Sequence, residues 1–454
     1  MNRSDFSQGS IPLTILRLAI PLTIAQIVNV LYNIVDRIFI GHIPETGTLA
    51  LTGLGLCFPV ITIVMAFANL VGMGGSPLFS IERGKGNDEQ AQRIMGNSFT
   101  MLMIFGISLT VIGLIIRRPV LYLFGASDAT IVYADAYIRI YLLGTIFVML
   151  GLGMNFFINA QGFSIIGMLT VIIGAVTNII LDYIFIFILH MGVSGAALAT
   201  VMSQFVSCVW ILQFLTGHRT LIRLSRQMMP LDSLIVKRII GLGMSGFVMQ
   251  ITNSLVQIAC NSTLSQFGGD LYVGVMTVLN SVREVVQMPV NGITNGTQPV
   301  LSFNYGASKP KRVMTGIKFM TIVCLAYTFG AWAIVSTHRA FFISIFNNDK
   351  TLIAAALPAL WAYFFGFFMM SFQFAGQTVF VGLGKSKNAV FFSIFRKVVI
   401  VVPLTLILPR IGLGVMGVFW AEPISNFIGG AACYLTMLLT VGRELRAEIA
   451  AQKS

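Results

Sequence analysis

The chain has 454 residues, of which 56% are apolar and only 10% charged, and it carries a formal net charge of +13. A soluble domain has about 25% charged residues, so this composition, with a mean hydropathy of +0.87, excludes a soluble fold and indicates an integral membrane protein built of spanning helices rather than barrel strands. The positive charges sit in loops, where they set orientation and meet anionic headgroups, and no zinc finger, basic helix or RNP-like motif accompanies them, which sets nucleic acid aside.

Twelve apolar segments follow one another, at 13–40, 49–80, 97–116, 131–157, 164–190, 193–215, 236–266, 272–303, 314–337, 353–380, 389–409 and 413–441. Each reaches the ~20 residues that a span requires. An even count puts both termini on one side. The loops of that side hold nineteen Lys and Arg, against five on the other, so the positive-inside rule makes it cytoplasmic. The expected organisation is an amino-terminal lobe over 1–216, a cytoplasmic linker over 217–235 and a carboxy-terminal lobe over 236–454.

The first segment carries Gln26, Asn29, Asn33 and Asp36 at spacings of 3, 4 and 3, one polar stripe on a helix. Pro21 lower in the same helix removes a backbone hydrogen bond and offers a hinge. The second holds Gly72-Met73-Gly74-Gly75 inside an apolar helix, which reads as close packing or a hinge and not as a phosphate loop. Met154, in the fourth, belongs to a set of Met and Phe residues able to line a pliable apolar cavity. The fifth places Asn178 and Asp182 four residues apart on one face. A carboxylate at that depth costs at least about 2.5 kcal/mol and needs a partner, a cation or a proton. In the eighth, Arg283 and Glu284 are adjacent, with Glu284 able to meet a cationic ligand or to pair with Arg396 or Lys397. The twelfth contains Glu422 before Pro423.

The halves repeat. Asn69, Gly74, Pro77, Ser80 and Gly84 recur as Asn291, Gly296, Pro299, Ser302 and Gly306, every pair separated by 222 residues. The same offset links Tyr141 with Tyr363, Gly144 with Gly366, Gly162 with Gly384, Gly192 with Gly414 and Ala199 with Ala421. With the first helix shifted two residues further, Gln26, Asn29 and Asn33 fall on Gln250, Asn253 and Gln257. Two six-helix halves of the same orientation form a parallel repeat, with a ligand site expected near mid-membrane.

Residues shared by both halves read as architecture, and polar residues confined to one half as function. Asp36 has Cys260 at its repeat position, while Asn178 and Asp182 have Ile400 and Leu404. The acids therefore belong to the first half alone, and the parsimonious arrangement has Asp36 facing Asp182, with Asn178 beside them and Thr200 adding a hydroxyl. Such a pair titrates as a unit and holds a proton or a hard cation such as Na⁺. The alternative is a structural ion pair of Asp36 with Arg139. The five cysteines and four histidines show no metal-ligand spacing, and neither a nucleophile–base pair nor a nucleotide loop is visible, which argues against an enzyme and against any cofactor beyond a coupling ion.

The first-segment stretch Asn29–Gly41 with Asp36, the Asn178-x-x-x-Asp182 motif and the twinned Asn-Gly-Pro-Ser-Gly pattern resemble the multidrug and toxic compound extrusion (MATE) transporters, in the DinF/MepA-like branch. The resemblance spans nearly the whole chain. It implies an all-α polytopic fold with twelve transmembrane helices as two parallel six-helix repeats around a central cleft. It also implies cation-coupled antiport that exports amphipathic, often cationic, compounds, and a cation site of Asp36, Asn178, Asp182 and Thr200. Family members use polar residues of the fourth helix, where Tyr137 and Asn155 fall. The acids of the NorM-like branch in helices seven and ten are absent here. Gln26, Asn29, Asn33, Tyr137, Met154, Asn155, Gln250, Asn253, Gln257 and Glu284 are the candidates to line the cleft. The resemblance also places the chain in the cell's inner membrane, working as a monomer. The alternative function is a flippase or exporter of a lipid-linked or polysaccharide envelope precursor, which would need several mid-membrane cations; Arg37, Arg139, Arg283, Arg396 and Lys397 are those available.

Overall fold

A computed structural model describes residues 4–43, 47–346 and 349–452, which are helical with no strand among them. Helix α1 is Ile11–Gly41, α2 is Gly47–Gly84 and α3 is Asp88–Leu123. A bent span, α4, joins Ile131–Leu143 to Thr145–Ala160 at 56°. Next, α5 runs over Ser164–Asp182 and continues as a π-helical turn, Tyr183–Ile188, and α6 is Gly192–Thr216. The long stretch Ser233–Gly306 contains Gly269 at φ 68°, outside helical geometry, and divides there into α7 (233–268) and α8 (270–306). Helix α9 is Pro310–Thr337, and α10 joins Lys350–Phe364 to Phe367–Gly382 at 40°. Ser386–Ile394, the π-helical Phe395–Val401 and Val402–Ile407 make up α11. Then α12 is Gly414–Leu439, and a last short helix, α13, is Val441–Ala451.

Length and apolarity mark eight continuous stretches and two bent pairs as spans. The breaks at Gly269 and at Gly412 divide two of the eight, which gives the twelve spans expected. Ile115, Leu123, Ile322 and Phe341 are 74%, 81%, 65% and 62% exposed. Apolar side chains held open on this scale need lipid around them.

The shared residues of the repeat prove to be turn and packing positions. Gly162 and Gly384 adopt φ of 90° and 74° between α4 and α5 and between α10 and α11, while Gly192 and Gly414 adopt 57° and 53° at the starts of α6 and α12. This left-handed conformation disfavours a Cβ. Gly144 and Gly366 mark the bends of α4 and α10.

Two compact units form. One comprises Ile24–Gly243 with Ser4 and Asp5; the other comprises Phe6–Thr23 with the residues from Met244 onward. The division differs from the lobe limits drawn from sequence, because α1 and α7 are each shared out at one end. In the second unit a Cβ on Gly296 of α8 would lie 2.7 Å from the Ala19 backbone nitrogen, so the first half of α1 packs backbone to backbone there. In the first unit Gly74 of α2 faces the Ile239 carbonyl and Gly243 faces that of Leu70, the same contact with the roles of the halves exchanged. The Gly-rich element of α2 thus serves close packing, and α1 itself runs unbroken through Pro21.

The segment between α6 and α7 is tied down within the first unit. Fully buried Gln161 accepts at Oε1 from the Thr220 hydroxyl and from the Leu221 and Ile222 amides at 2.8, 2.9 and 3.0 Å. Asn97 donates to the Pro230 carbonyl and accepts from the Asp232 amide, and Thr100 donates to the Met229 carbonyl. Outside the spans, Asp349 caps α10 by accepting from the Leu352 and Thr351 amides, and these bonds hold its carboxyl below the ordinary carboxylate range.

Candidate functional site

The site of the first unit starts with two helices that are apolar enough to span and yet carry acids. Helix α1 presents Tyr32 and Asp36 one turn apart, and α5 presents Asn178 and Asp182 in the same way. Helix α5 passes into its π-helical turn directly after Asp182, the kind of helix irregularity that concentrates at functional sites. Asp36, Asn178 and Asp182 are 9%, 1% and 0% exposed.

The Asp36 and Asp182 carboxyls touch, within hydrogen-bonding reach of one another. Asp36 Oδ1, both carboxyl oxygens of Asp182 and both amide atoms of Asn178 find no protein partner. Ionised carboxyl groups only accept, so the pair cannot satisfy itself until a proton bridges it or a cation joins it. No salt bridge to either acid is present among the described residues. Arg37 acts on Asp36 electrostatically, but its guanidinium lies 4.7 Å from the centre of the Phe58 ring. Arg139 is exposed and supplies no ion pair, so the structural pairing of Asp36 with Arg139 is not what forms.

Tyrosines line the pair. Tyr32 stands within electrostatic reach of both acids, and Tyr137 of Asp36. Tyr137 lies beside Thr200, whose hydroxyl donates to the Ala196 carbonyl at 3.0 Å. The Tyr137 and Tyr141 rings stack at 6.3 Å. The oxygens of Asp36, Asp182 and Asn178, with the Thr200 hydroxyl one tyrosine away, are hard donors suited to H⁺ or Na⁺. Among the described residues there is no group of three or more His, Cys, Asp or Glu that would hold a transition metal.

Other candidates lie elsewhere. Gln26, Asn29 and Asn33 remain half-buried along α1, with Asn33 donating to the Asn29 carbonyl at 2.6 Å. Asn155 donates to the Gly167 carbonyl and so ties α4 to α5 instead of reaching the acids. Met154 is fully buried. In the second unit Gln250 is half-buried, and Asn253 and Gln257 are exposed. Tyr32 was missed by sequence reasoning, although its spacing of four from Asp36 put it on the same face.

The second unit holds a charged cluster of its own. Glu422 Oε1 accepts from Arg283, Arg396 and Lys397 at 3.0, 3.1 and 3.2 Å, and Arg396 also donates to Asn426 at 2.6 Å. The sequence offered Glu284 as the partner of Arg396 and Lys397; the structure gives them Glu422 and leaves Glu284 exposed. The reason is the π-helical turn Phe395–Val401, which directs both cations inward to α12. Glu422 stands where the first half has Thr200, and Cys260, the counterpart of Asp36, lies 3.8 Å from the Thr405 hydroxyl.

Twelve apolar spans among the described residues, in two repeated halves with buried acids in one of them, have the build of a polytopic membrane transport protein. The MatE family profile matches residues 21–184 and again 246–407, one match in each half, and the chain belongs to that family. It is 26% identical to the "Multidrug export protein MepA" of Staphylococcus haemolyticus over 458 residues, covering 98% of each chain, and 23% identical to that of Staphylococcus saprophyticus over 435 residues, covering 96% of this chain and 95% of the other. Among solved structures it resembles an outward-facing multidrug resistance MATE transporter of the MOP superfamily, with a TM-score of 0.91, 24% identity and 99% of each chain covered. A MOP superfamily transporter from Pyrococcus furiosus aligns with a TM-score of 0.90 and 24% identity over 100% of this chain and 99% of the other. At that identity the structural likeness speaks to the fold.

Proposed function

We propose that this protein is a cation-coupled antiporter that exports amphipathic, often cationic, compounds by alternating access. The observation that carries the reading is the contact of Asp36 with Asp182 beside Asn178, all buried and short of partners. Two carboxylates in contact cannot both stay charged without help. A proton bridges them, or Na⁺ draws on the carboxyl oxygens and Asn178 Oδ1, with Thr200 acting through Tyr137. Either event removes repulsion between α1 and α5 and changes how α1, α5 and α6 pack. Pro21 gives α1 a position at which to bend in response. A ligand that stabilises one packing over the other shifts the conformational balance by its difference in affinity.

The multidrug export named for the staphylococcal relatives supports the substrate class, and the loop charge asymmetry supports cytoplasmic termini in the inner membrane. A single chain carries both halves of the repeat and suffices as a monomer. The test is efflux of a cationic dye from proteoliposomes under a pH gradient alone and a Na⁺ gradient alone. Gradient-driven efflux is expected in the parent and lost in Asp36→Asn and Asp182→Asn; undiminished efflux in both variants would sink the mechanism.

A further inference from the structure

We propose that the carboxy-terminal unit contains an anion-recognition site at Arg283, which takes the carboxylate head of amphipathic compounds. This deepens the export reading and rests on it for the compound being cargo, while the binding itself stands on separate residues.

The argument begins with charge. Arg283, Arg396 and Lys397 gather on Glu422 inside membrane-spanning helices, three cations on one carboxylate. Charged groups inside a membrane are normally paired, and an imbalance there marks a substrate or ion path. Glu284, next to Arg283 in the chain, is exposed and acts on Arg283 electrostatically, but forms no salt bridge to the cluster among the described residues.

Donor capacity points to which cation is available. Arg283, Arg396 and Lys397 all crowd onto Glu422 Oε1, and only Lys397 also reaches Oε2, at 3.4 Å. Arg396 meets Glu422 and Asn426 through the same terminal nitrogen and is itself buried. Arg396 and Lys397 side chains are 11% and 6% exposed, whereas Arg283 is 25% exposed and uses one terminal nitrogen on Glu422. Its guanidinium keeps further N–H donors in a planar fork that matches a carboxylate. The buried pair Arg396–Lys397 holds Glu422 in place and supplies the positive field.

The surroundings suit an apolar body. The guanidinium lies 5.6 Å from the centre of the Tyr363 ring, whose hydroxyl donates to Asn280 at 2.8 Å. Tyr363 belongs to a core with Val282, Phe364 and Phe419. A half-buried fork of donors at the edge of this buried aromatic core recognises a carboxylate attached to a hydrophobic group. The repeat adds an independent indication. The equivalents of Arg283, Arg396 and Lys397 in the first half are Ile61, Gly174 and Ala175, so no part of the fold requires these charges.

The test uses the full chain in nanodiscs of neutral lipid, with no gradient, so it stands whether or not cation coupling does. Dansyl-phenylalanine and its methyl ester share one aromatic body and differ in the charge. Fluorescence titration is expected to give the carboxylate about tenfold tighter binding. Arg283→Gln, which brings the cluster closer to neutrality and so favours folding, should reduce the preference to about twofold or less, while Arg283→Lys retains part of it. Equal binding of carboxylate and ester by the parent, or an unchanged preference in a monodisperse Arg283→Gln protein, would overturn the proposal. A second arm adds phosphatidylglycerol to the nanodisc. Retained carboxylate binding supports a solute site; its abolition would assign the fork to lipid phosphate and overturn the cargo assignment.

Discussion

Thr200 and Glu422 occupy the same position in the two halves of the repeat, yet the Thr200 hydroxyl donates to the Ala196 carbonyl of its own helix while Glu422 takes three cations. One helix-packing position therefore serves two charge environments. In the first unit the neighbours are acids that form no salt bridge among the described residues, and in the second they are cations in excess of acid. Each environment lies against a π-helical turn, after Asp182 in α5 and around Arg396 and Lys397 in α11.

Removing an acid from the first site should separate function from stability. Asp182 is fully buried with both carboxyl oxygens unpartnered. Asp182→Asn retains the shape and can exchange a hydrogen bond with Asp36. Gradient-driven dye efflux should fall about tenfold or more, while the protein gains about 1 kcal/mol of stability, read as a higher melting temperature in detergent. A lower melting temperature would show that the acid has a structural partner after all.

The opposite result is expected for Glu422→Gln. The change leaves three cations facing one another in a buried site. Breaking a buried ion pair from one side costs about 3–5 kcal/mol. Thermal unfolding should therefore shift sharply downward, and Glu422→Gln combined with Arg283→Gln should recover part of the loss. A Glu422→Gln melting temperature equal to the parent's would mean the ion pairs contribute nothing net.

Tyr137 tests how the acids connect to α6. Its side chain lies beside Thr200 and within electrostatic reach of Asp36. Tyr137→Phe removes only the hydroxyl. It should cost about 1 kcal/mol of stability and shift the pH midpoint of gradient-driven efflux while leaving the level at the optimal pH within about twofold. An unchanged pH profile would confine Tyr137 to packing.

Much of this arrangement could be read from sequence because membranes impose simple rules. Twelve apolar segments had to become helices, and the offset that links Gly162 with Gly384 and Gly192 with Gly414 pointed to turns that prove to need left-handed glycine. The Asp36–Asp182 contact followed from comparing the halves. Two features were not legible. The inward turn of Arg396 and Lys397 depends on a π-helical segment, which shifts side-chain direction by a residue and leaves no mark in apolar periodicity. The assignment of residues 6–23 to the second unit depends on backbone contact at Gly296, and a glycine in a helix does not say which helix approaches it.

The connection between α6 and α7 offers a last prediction, since a segment of this composition usually reads as a loose linker. It carries Arg219, Arg223 and Arg226, each a trypsin site. The segment is nonetheless held by Gln161, whose Oε1 accepts three hydrogen bonds from Thr220, Leu221 and Ile222 while its Nε2 donates back to the Ile222 carbonyl at 3.4 Å. Gln161→Ala strips a fully buried acceptor from two backbone amides. Each orphaned buried group costs about 1–3 kcal/mol, enough to favour local opening without unfolding the spans. Limited trypsin digestion should then cut the variant between the two halves at least about tenfold faster than the parent. Gln161→Glu keeps the acceptor and should restore most of the resistance, whereas equal cleavage of parent and Gln161→Ala would show that the segment is held by its other contacts, those of Gln92, Asn97 and Thr100 among them.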